Sequence, residues 1–243
     1  MGSQTCGYEE RAWSRLETGV EEQASRFAKS TGEETLLVRG SQAHEQALRE
    51  KMKGRRVLHL ATHGFFSPKE QCAHLDASKE DGRLTPMGME RAPRFTDPLQ
   101  LSALVLSGGN KAGSKLDRPE EDGLLSAREV VRLDLRGTEV VTLAACETGL
   151  GQNTVGEGSL GLARAFLVAG AKTAFVSHWQ VPLADTNALF QRFYADAFPS
   201  KGKRPDVVDA YHQVVRASIN QHRKGGNIHS AFFWAAFFPL QIQ

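Results

Sequence analysis

Two apolar segments of this chain, 83 residues apart, end in side chains that can do chemistry. Val57–Gly64 reads Val-Leu-His-Leu-Ala-Thr-His-Gly, and Val140–Gly149 reads Val-Val-Thr-Leu-Ala-Ala-Cys-Glu-Thr-Gly. Each has the length and composition of a buried strand and is followed by glycine or turn residues. Runs of this kind are typical of parallel sheets, where ligands bind beyond the carboxyl ends of the strands. We therefore predict that His63 and Cys146 lie at one edge of a sheet.

A histidine and a thiol that meet across a substrate are the minimum for cysteine nucleophilic catalysis. A histidine or a free cysteine after an apolar run is also common as a buried structural residue. Gly64 favours the catalytic interpretation of His63, because a glycine lets its amide approach a substrate oxygen. The amide of Cys146 is the second candidate donor to an oxyanion. His59 shares a strand face with His63 if the strand is continuous, and we interpret it as a packed core histidine.

Composition excludes several other classes of protein. With 243 residues, 40% of them apolar, the chain can bury a substantial core, and its net charge of +2 does not favour nucleic acid. The basic run Lys51–Arg56 is typical of a solvated helix end. Cys6, Cys72 and Cys146 have no spacing of a disulfide framework or a metal site. No apolar stretch reaches membrane-spanning length and no signal peptide is visible, so we expect a cytoplasmic protein without membrane contact.

Helical and strand patterns alternate along the chain, which predicts an α/β domain with a mostly parallel sheet covered by helices on both faces. We treat 1–243 as one domain, with residues 1–14 as a tag or linker because Met1-Gly2-Ser3 resembles a cloning scar. Ser126 and Glu129 form a capping-box pattern. The predicted strands are 34–39, 55–61, 99–106, 138–145, 172–178 and 232–242, and the predicted helices are 9–29, 41–53, 126–129, 159–169, 184–197 and 205–223.

Residues 67–98 follow His63 and have no usable periodicity. A stretch of this length inside a compact domain is typical either of a lid that gates a cleft or of an insertion without a role, and the sequence does not separate the two.

The segment Gly156–Gly161 matches the dinucleotide-binding pattern of glycines but does not predict a nicotinamide site. About ten residues separate it from the preceding strand, and the next strand ends in Ser177-His-Trp-Gln without a carboxylate. Motifs of serine hydrolases, P-loop NTPases and zincins are also missing from the sequence. We expect no cofactor and no metal.

The set of motifs resembles the CHAT domain, a bacterial family of caspase- and separase-like cysteine peptidases of clan CD. The segments that carry the resemblance are Val57-Leu-His-Leu-Ala-Thr-His-Gly64, Asp97-Pro-Leu99, Ser102-Ala-Leu-Val-Leu106, Glu121-Asp-Gly-Leu-Leu-Ser-Ala-Arg-Glu-Val130, Leu133-Asp-Leu-Arg-Gly-Thr-Glu-Val-Val141, Ala145-Cys-Glu-Thr-Gly-Leu-Gly151, Ala163-Arg-Ala-Phe-Leu-Val-Ala-Gly-Ala171, Ser177-His-Trp-Gln-Val181 and Phe233-Trp-Ala-Ala-Phe237. They cover nearly the whole chain from about residue 15.

The resemblance implies a caspase-like fold, with His63 as general base and acid and Cys146 as nucleophile. It further implies a protein substrate, an upstream sensor or helical-repeat region of the TPR type, and a role in bacterial defence or signalling. The family usually has leucine at the position of His178, so the cleft wall is the part that the resemblance defines least.

We expect the substrate cleft to be lined by Ala144, Glu147, Ser177, His178 and Trp179. In caspase-like folds the residue two before the cysteine faces the pocket for the substrate side chain on the acyl side of the cut. That residue is Ala144 here, and a charged substrate side chain would be buried against it without a partner. We therefore predict cleavage after an apolar residue such as leucine or methionine. For Trp179, core packing is the alternative.

Two other functions use the same residues. A catalytically silent interaction module keeps the fold without turnover, although the presence of both His63 and Cys146 counts against it. An acyltransferase or hydrolase of small thioesters requires an enclosed pocket, which the sequence does not reveal. An assay that shows whether the chain consumes a folded protein or a small ester discriminates among these functions.

Overall fold

The computed structural model describes residues 13–66, 99, 102–109, 122–144, 157–179, 183–224 and 234–242. Its helices are α1 (Trp13–Thr31), α2 (Glu45–Met52), α3 (Ala127–Val130), α4 (Glu157–Val168), α5 (Leu183–Ala197) and α6 (Val207–Lys224). Its strands are β1 (Val57–Leu60), β2 (His63–Phe66), β3 (Ser102–Val105), β4 (Leu124–Ser126), β5 (Val140–Leu143), β6 (Thr173–Ser177) and β7 (Phe237–Gln241). Among these residues, no helix combines the length and apolarity that a membrane span requires.

The central sheet has the strand order β1-β5-β6-β7. β1 pairs with β5 and β5 with β6 in parallel, while β7 joins β6 antiparallel. Helix α4 connects β5 to β6, as a crossover between parallel strands requires. The mixed α/β architecture and the mostly parallel sheet confirm the fold class predicted from the sequence.

The two faces of the central sheet bury different sets of side chains. On β5 and β6, Val141, Leu143, Ala174 and Val176 pack into a core that includes α3 and α4. The intervening residues point the other way, into an aromatic core shared with α5 and α6. Because both faces are covered, every residue of β5 and β6 is buried.

Phe175 lies at the centre of the aromatic core. Its ring centroid is 4.9 Å from those of Phe193 and Tyr211 and 5.9 Å from that of Phe190. Phe27 of α1 reaches the same core, with its ring edge-on to Tyr194 at 5.3 Å. The apolar spacing of the sequence predicts that Trp13, Leu16, Val20 and Phe27 form the inner face of α1; the contact of Phe27 confirms its place there, and Val20 is half-buried. The side chains of Trp13 and Leu16 lie outside the description.

Several predicted elements match the structure closely. Strands β5 and β6 and helices α4, α5 and α6 lie within a few residues of the predicted ranges. The capping box is formed: Ser126 Oγ accepts from the Glu129 amide, and a Glu129 carboxylate oxygen accepts from the Ser126 amide at 2.9 Å. Residues 67–98 lie outside the described residues.

One predicted strand is absent, and one inference about a strand face was wrong. Residues 34–39 have the composition of a strand but form no regular element, because β-propensity requires a neighbouring strand to become structure. The strand predicted at 55–61 ends at Leu60, and His63 begins β2 in a second, antiparallel sheet of order β2-β3-β4. The period-two argument that placed His59 and His63 on one face therefore does not apply. Strand β4 was not predicted.

Replacing Phe175 with alanine is expected to lower the free energy of unfolding by about 3–5 kcal/mol, because it leaves a cavity among rigid aromatic neighbours. The control is Val168→Ala on α4, whose residue is 70% exposed; its effect should stay within about 0.5 kcal/mol. Urea denaturation of the wild type and the two variants measures both changes in the free energy of unfolding. Equal losses for the two variants would contradict the placement of the aromatic core.

Candidate active site

His63 is positioned by the start of the second sheet. It is the first residue of β2, half-buried, and lies opposite Val105 of β3. The preceding Thr62 donates its hydroxyl to the Val105 carbonyl. Gly64 is buried and lies opposite Leu104, whose side chain is fully buried. The backbone of His63 and Gly64 is thus fixed by β3 rather than by the strand that precedes it.

The register between β1 and β5 relates His63 to Cys146. Leu60 pairs with Leu143, and the Ala144 amide donates to the Leu60 carbonyl at 3.0 Å, so the pairing continues past the end of β5. His63 follows Leu60 by three residues, and Cys146 follows Leu143 by three. The separation of 83 residues between the two motifs therefore equals the offset of this strand pair. Cys146 and Glu147 themselves lie outside the described residues.

Ala144 and Ser177 lie at the same end of the sheet. Thr142 pairs with Phe175, and Ala144 and Ser177 each follow that pair by two residues. Both residues are buried, at 7% and 3% exposure. The carboxyl ends of β1, β5 and β6 therefore converge, which is the edge at which the sequence predicted the cleft.

His178 and Trp179 follow β6 and are tied to β7. The His178 amide donates to the Ala236 carbonyl at 2.7 Å, and its partly exposed imidazole stacks on Phe238 at 4.1 Å. Partial burial lowers the pKa of that imidazole. Trp179 is half-buried and packs against the aromatic core. Core packing therefore explains the buried part of this side chain. Whether either side chain contacts substrate stays a prediction.

His59 is a core histidine, as predicted from the sequence. Its Nδ1 lies 2.7 Å from the Tyr194 hydroxyl, which donates to Thr142 Oγ1 at 2.8 Å. Because the Tyr194 proton is used on Thr142, the Tyr194 oxygen accepts from Nδ1–H and the second ring nitrogen, Nε2, carries only a lone pair. Burial lowers the pKa of His59 to about 4. This histidine is neutral near pH 7 and faces α5, away from β2.

An ionic network that the sequence did not reveal anchors the far strand of the second sheet. The buried carboxyl group of Glu45, whose pKa burial raises to about 8, accepts from the Gly123 amide at 2.7 Å, just before β4. Arg49 lies 2.8 Å from carboxyl oxygens of both Glu45 and Glu129. These contacts join α2 to the end of the sheet that also carries His63. Glu45 is 78 residues from Gly123, so no local pattern could identify its partner.

Within the described part of the chain, no three His, Cys, Asp or Glu side chains cluster as metal ligands would. The chemistry open to the described residues is proton transfer by His63 and hydrogen bonding by backbone amides at the converging strand ends.

The titration of His59 predicts a specific loss of stability in acid. The unfolded chain binds a proton at His59 near pH 6.5, whereas the folded chain excludes it until about pH 4. Stability from this group is therefore present above pH 6.5 and is lost as the pH falls towards 4, by about 2–3 kcal/mol. We expect His59→Gln to lack this portion of the pH dependence when the free energy of unfolding is measured by urea denaturation.

His212→Gln, at an exposed position on α6, is the control, and its free energy of unfolding should vary with pH as that of the wild type does. A wild-type pH dependence in His59→Gln would contradict the conclusion that His59 is buried and neutral.

Comparison with known proteins agrees with the architecture. No curated protein matches the chain. The sequence does match the CHAT domain family over residues 8–241, nearly its whole length, and that match includes both motif-bearing segments. CHAT domains are related to cysteine peptidases, and the mostly parallel sheet flanked by helices is consistent with their caspase-like fold. The chain therefore belongs to the CHAT domain family.

Proposed function

We propose that this chain is a cysteine endopeptidase in which His63 and Cys146 act together on a peptide bond. The observation that carries the proposal is the β1–β5 register, in which Leu60 pairs with Leu143. His63 follows Leu60 by three residues, and Cys146 follows Leu143 by three. Adjacent parallel strands are about 4.8 Å apart, so residues leaving equivalent positions start close together.

Chain connectivity limits where Cys146 can be. Ala144 is described, and its amide is bonded to β1. Consecutive Cα atoms are about 3.8 Å apart, so the Cα of Cys146 lies within about 7.6 Å of that of Ala144. His63 lies three residues after Leu60, the partner of Leu143, and in the proposed site the two side chains meet at the converging ends of β1 and β5.

The proposed mechanism uses His63, Gly64 and Cys146. His63 removes the proton from the Cys146 thiol, and the thiolate attacks the scissile carbonyl carbon. The amides of Gly64 and Cys146 donate to the developing oxyanion. The imidazolium then protonates the amine as the carbon–nitrogen bond breaks, leaving a thioester. Water, deprotonated by His63, hydrolyses the thioester and returns the free thiol.

Ala144 supports an apolar preference at the substrate residue on the acyl side. The residue is buried and carries no group that could pair with a charge. An arginine or aspartate side chain desolvated there would have no partner from this position, which is costly. Leucine or methionine is the expected residue, in a specific protein partner of a bacterial defence or signalling pathway in the cytoplasm, downstream of a helical-repeat sensor.

We expect wild-type protein to cleave members of a peptide library. His63→Ala should lower kcat/KM by about 10²–10⁴-fold, the usual contribution of a general acid–base group, and Cys146→Ala should abolish cleavage. The matched controls are Cys6→Ser and Cys72→Ser, which should leave the rate unchanged. Cleavage that survives Cys146→Ala would contradict the proposal, and a wild type that cleaves no peptide would favour the silent interaction module. Turnover of small thioesters without peptides would favour the acyl-transfer alternative.

The role of Ala144 is tested by adding a charge. Ala144→Asp is expected to move the preferred residue before the cut from leucine or methionine to arginine or lysine, because a buried carboxylate favours a cationic partner. Ala144→Asn has nearly the same volume without the charge and should not gain a basic preference. Profiling of library cleavage sites measures the change. A wild-type profile dominated by arginine, lysine or aspartate would show that this residue does not set specificity.

A further inference from the structure

Glu45, the first residue of α2, is 1% exposed and is the only buried charged residue in the described part of the chain. The charged side chains that the described structure places beside it are Arg49 of its own helix, Glu129 of α3 and Asp122 ahead of β4. Three carboxyl groups thus face one guanidinium group. If all three were ionised, two negative charges would lack compensation where Glu45 has little access to water, which is unfavourable.

The contacts between Glu45 and Glu129 indicate that this pair holds a proton. Arg49 Nη2 lies 2.8 Å from an oxygen of each residue, and the two carboxyl groups are hydrogen-bonded to each other. An ionised carboxylate only accepts hydrogen bonds, so one of the two must be protonated. The other oxygen of Glu129 accepts from the Ser126 amide and hydroxyl, which favours ionised Glu129. Burial, with the charges of Glu129 and Asp122, raises the pKa of Glu45 to about 8.

Glu45 also fixes the backbone just before β4. Its Oε1 accepts from the Gly123 amide at 2.7 Å. The φ angle of Gly123 is +81°, and a Cβ added there would lie 2.1 Å from the Gly109 nitrogen, so a side chain cannot be accommodated. The Gly123 carbonyl accepts from the Leu106 amide at 2.8 Å. This residue is therefore held on one side by the carboxyl group and on the other by the end of β3.

Strand register carries this support to His63. Leu124, which follows Gly123, lies opposite Val105 of β3, and Val105 lies opposite His63 of β2. Leu124, Val105 and His63 thus form one row across the second sheet, the His63 row. The contact with Glu45 lies one residue from the far end of this row.

We propose that Glu45 is a positioning residue for His63, and that its protonated carboxyl group holds the His63 row in the place that the catalytic pair requires. The inference rests on the proposed function for the role of His63, whereas the anchoring of the row does not.

Loss of the proton would weaken this anchor. The hydrogen bond from the Gly123 amide favours the ionised form of Glu45, but burial outweighs it and raises the pKa. Ionised Glu45 would also repel Glu129 across Arg49. The carboxylate would therefore move towards water and away from the amide, and the His63 row would lose its support as the pH rises through about 8.

Glu45→Gln tests the role of the proton, because the amide has nearly the same shape and stays neutral at every pH. Its NH₂ group can donate to Glu129, and its oxygen can accept from Gly123. Carbon-13 NMR of the wild type should show the Glu45 carboxyl, the Val105 methyl and the His63 ring signals changing with one midpoint near pH 8. In Glu45→Gln the changes at Val105 and His63 with this midpoint should vanish.

The pH profile of peptide cleavage gives a second readout. The wild-type kcat should fall about tenfold between pH 7 and pH 9 as Glu45 loses its proton, with KM unchanged. In Glu45→Gln this fall should be absent. Glu50→Gln, at an exposed position on the same helix, is the matched control and should follow the wild type in the spectra and in the pH profile.

Three results would overturn the proposal. A Glu45 carboxyl group that titrates near pH 4.5, the ordinary value, would show that no proton is held at neutral pH. A midpoint near pH 8 at Glu45 without changes at Val105 and His63 would show a buried anchor that does not position the histidine. An unchanged fall of kcat in Glu45→Gln would assign the pH dependence to another group. A protein that cleaves no peptide would contradict the proposed function alone, because the shared midpoint in the spectra does not require turnover.

Discussion

The parallel pairing of β1 with β5 is the constraint on which the site depends. Each strand is a short apolar run, and their four-residue register aligns Leu60 with Leu143. Neither strand carries catalytic chemistry within its own length. The pairing instead brings the two segments that follow them to one end of the sheet, and the hydrogen bond from Ala144 to Leu60 extends the alignment beyond β5. The proposed pairing of His63 with Cys146 requires this register, because it rests on the equal offset of the two residues from Leu60 and Leu143.

The two covered faces make that register specific. A slip of one residue would exchange the side chains that pack on α4 with those that enter the aromatic core. Such a slip in β6 would turn Phe175 into the core that includes α4, where Ala174 and Val176 now pack. The core thus fixes the strands, and the strands fix the site. His63 has a second support, since β2 belongs to another sheet whose far strand is held by the carboxyl group of Glu45.

The sequence was most informative where one local pattern decides the structure. The apolar runs at 140–143 and 173–177 and the Ser126 capping box needed no knowledge of distant partners, and each was confirmed. The prediction of a strand at 34–39 was wrong because a strand needs a neighbouring strand to pair with. Composition does not show whether such a neighbour is present. The change of sheet between β1 and β2 was missed because Ala61 and Thr62 include no glycine or proline to mark it. The Tyr194 contact of His59 spans 135 residues and has no local signature, although a histidine among apolar neighbours suggested a core role.

The central claim is that His63 activates Cys146, and alkylation kinetics test it most directly. The rate of iodoacetamide reaction at Cys146 should be followed against pH by mass spectrometry in wild type and His63→Ala, with Cys6 and Cys72 as internal standards. An unassisted thiol ionises near pH 8.5, and a neighbouring imidazolium lowers that value. The account predicts that Cys146 reacts well below pH 8 in the wild type and loses this reactivity in His63→Ala. A Cys146 profile that follows Cys6 and Cys72 in the wild type would contradict it.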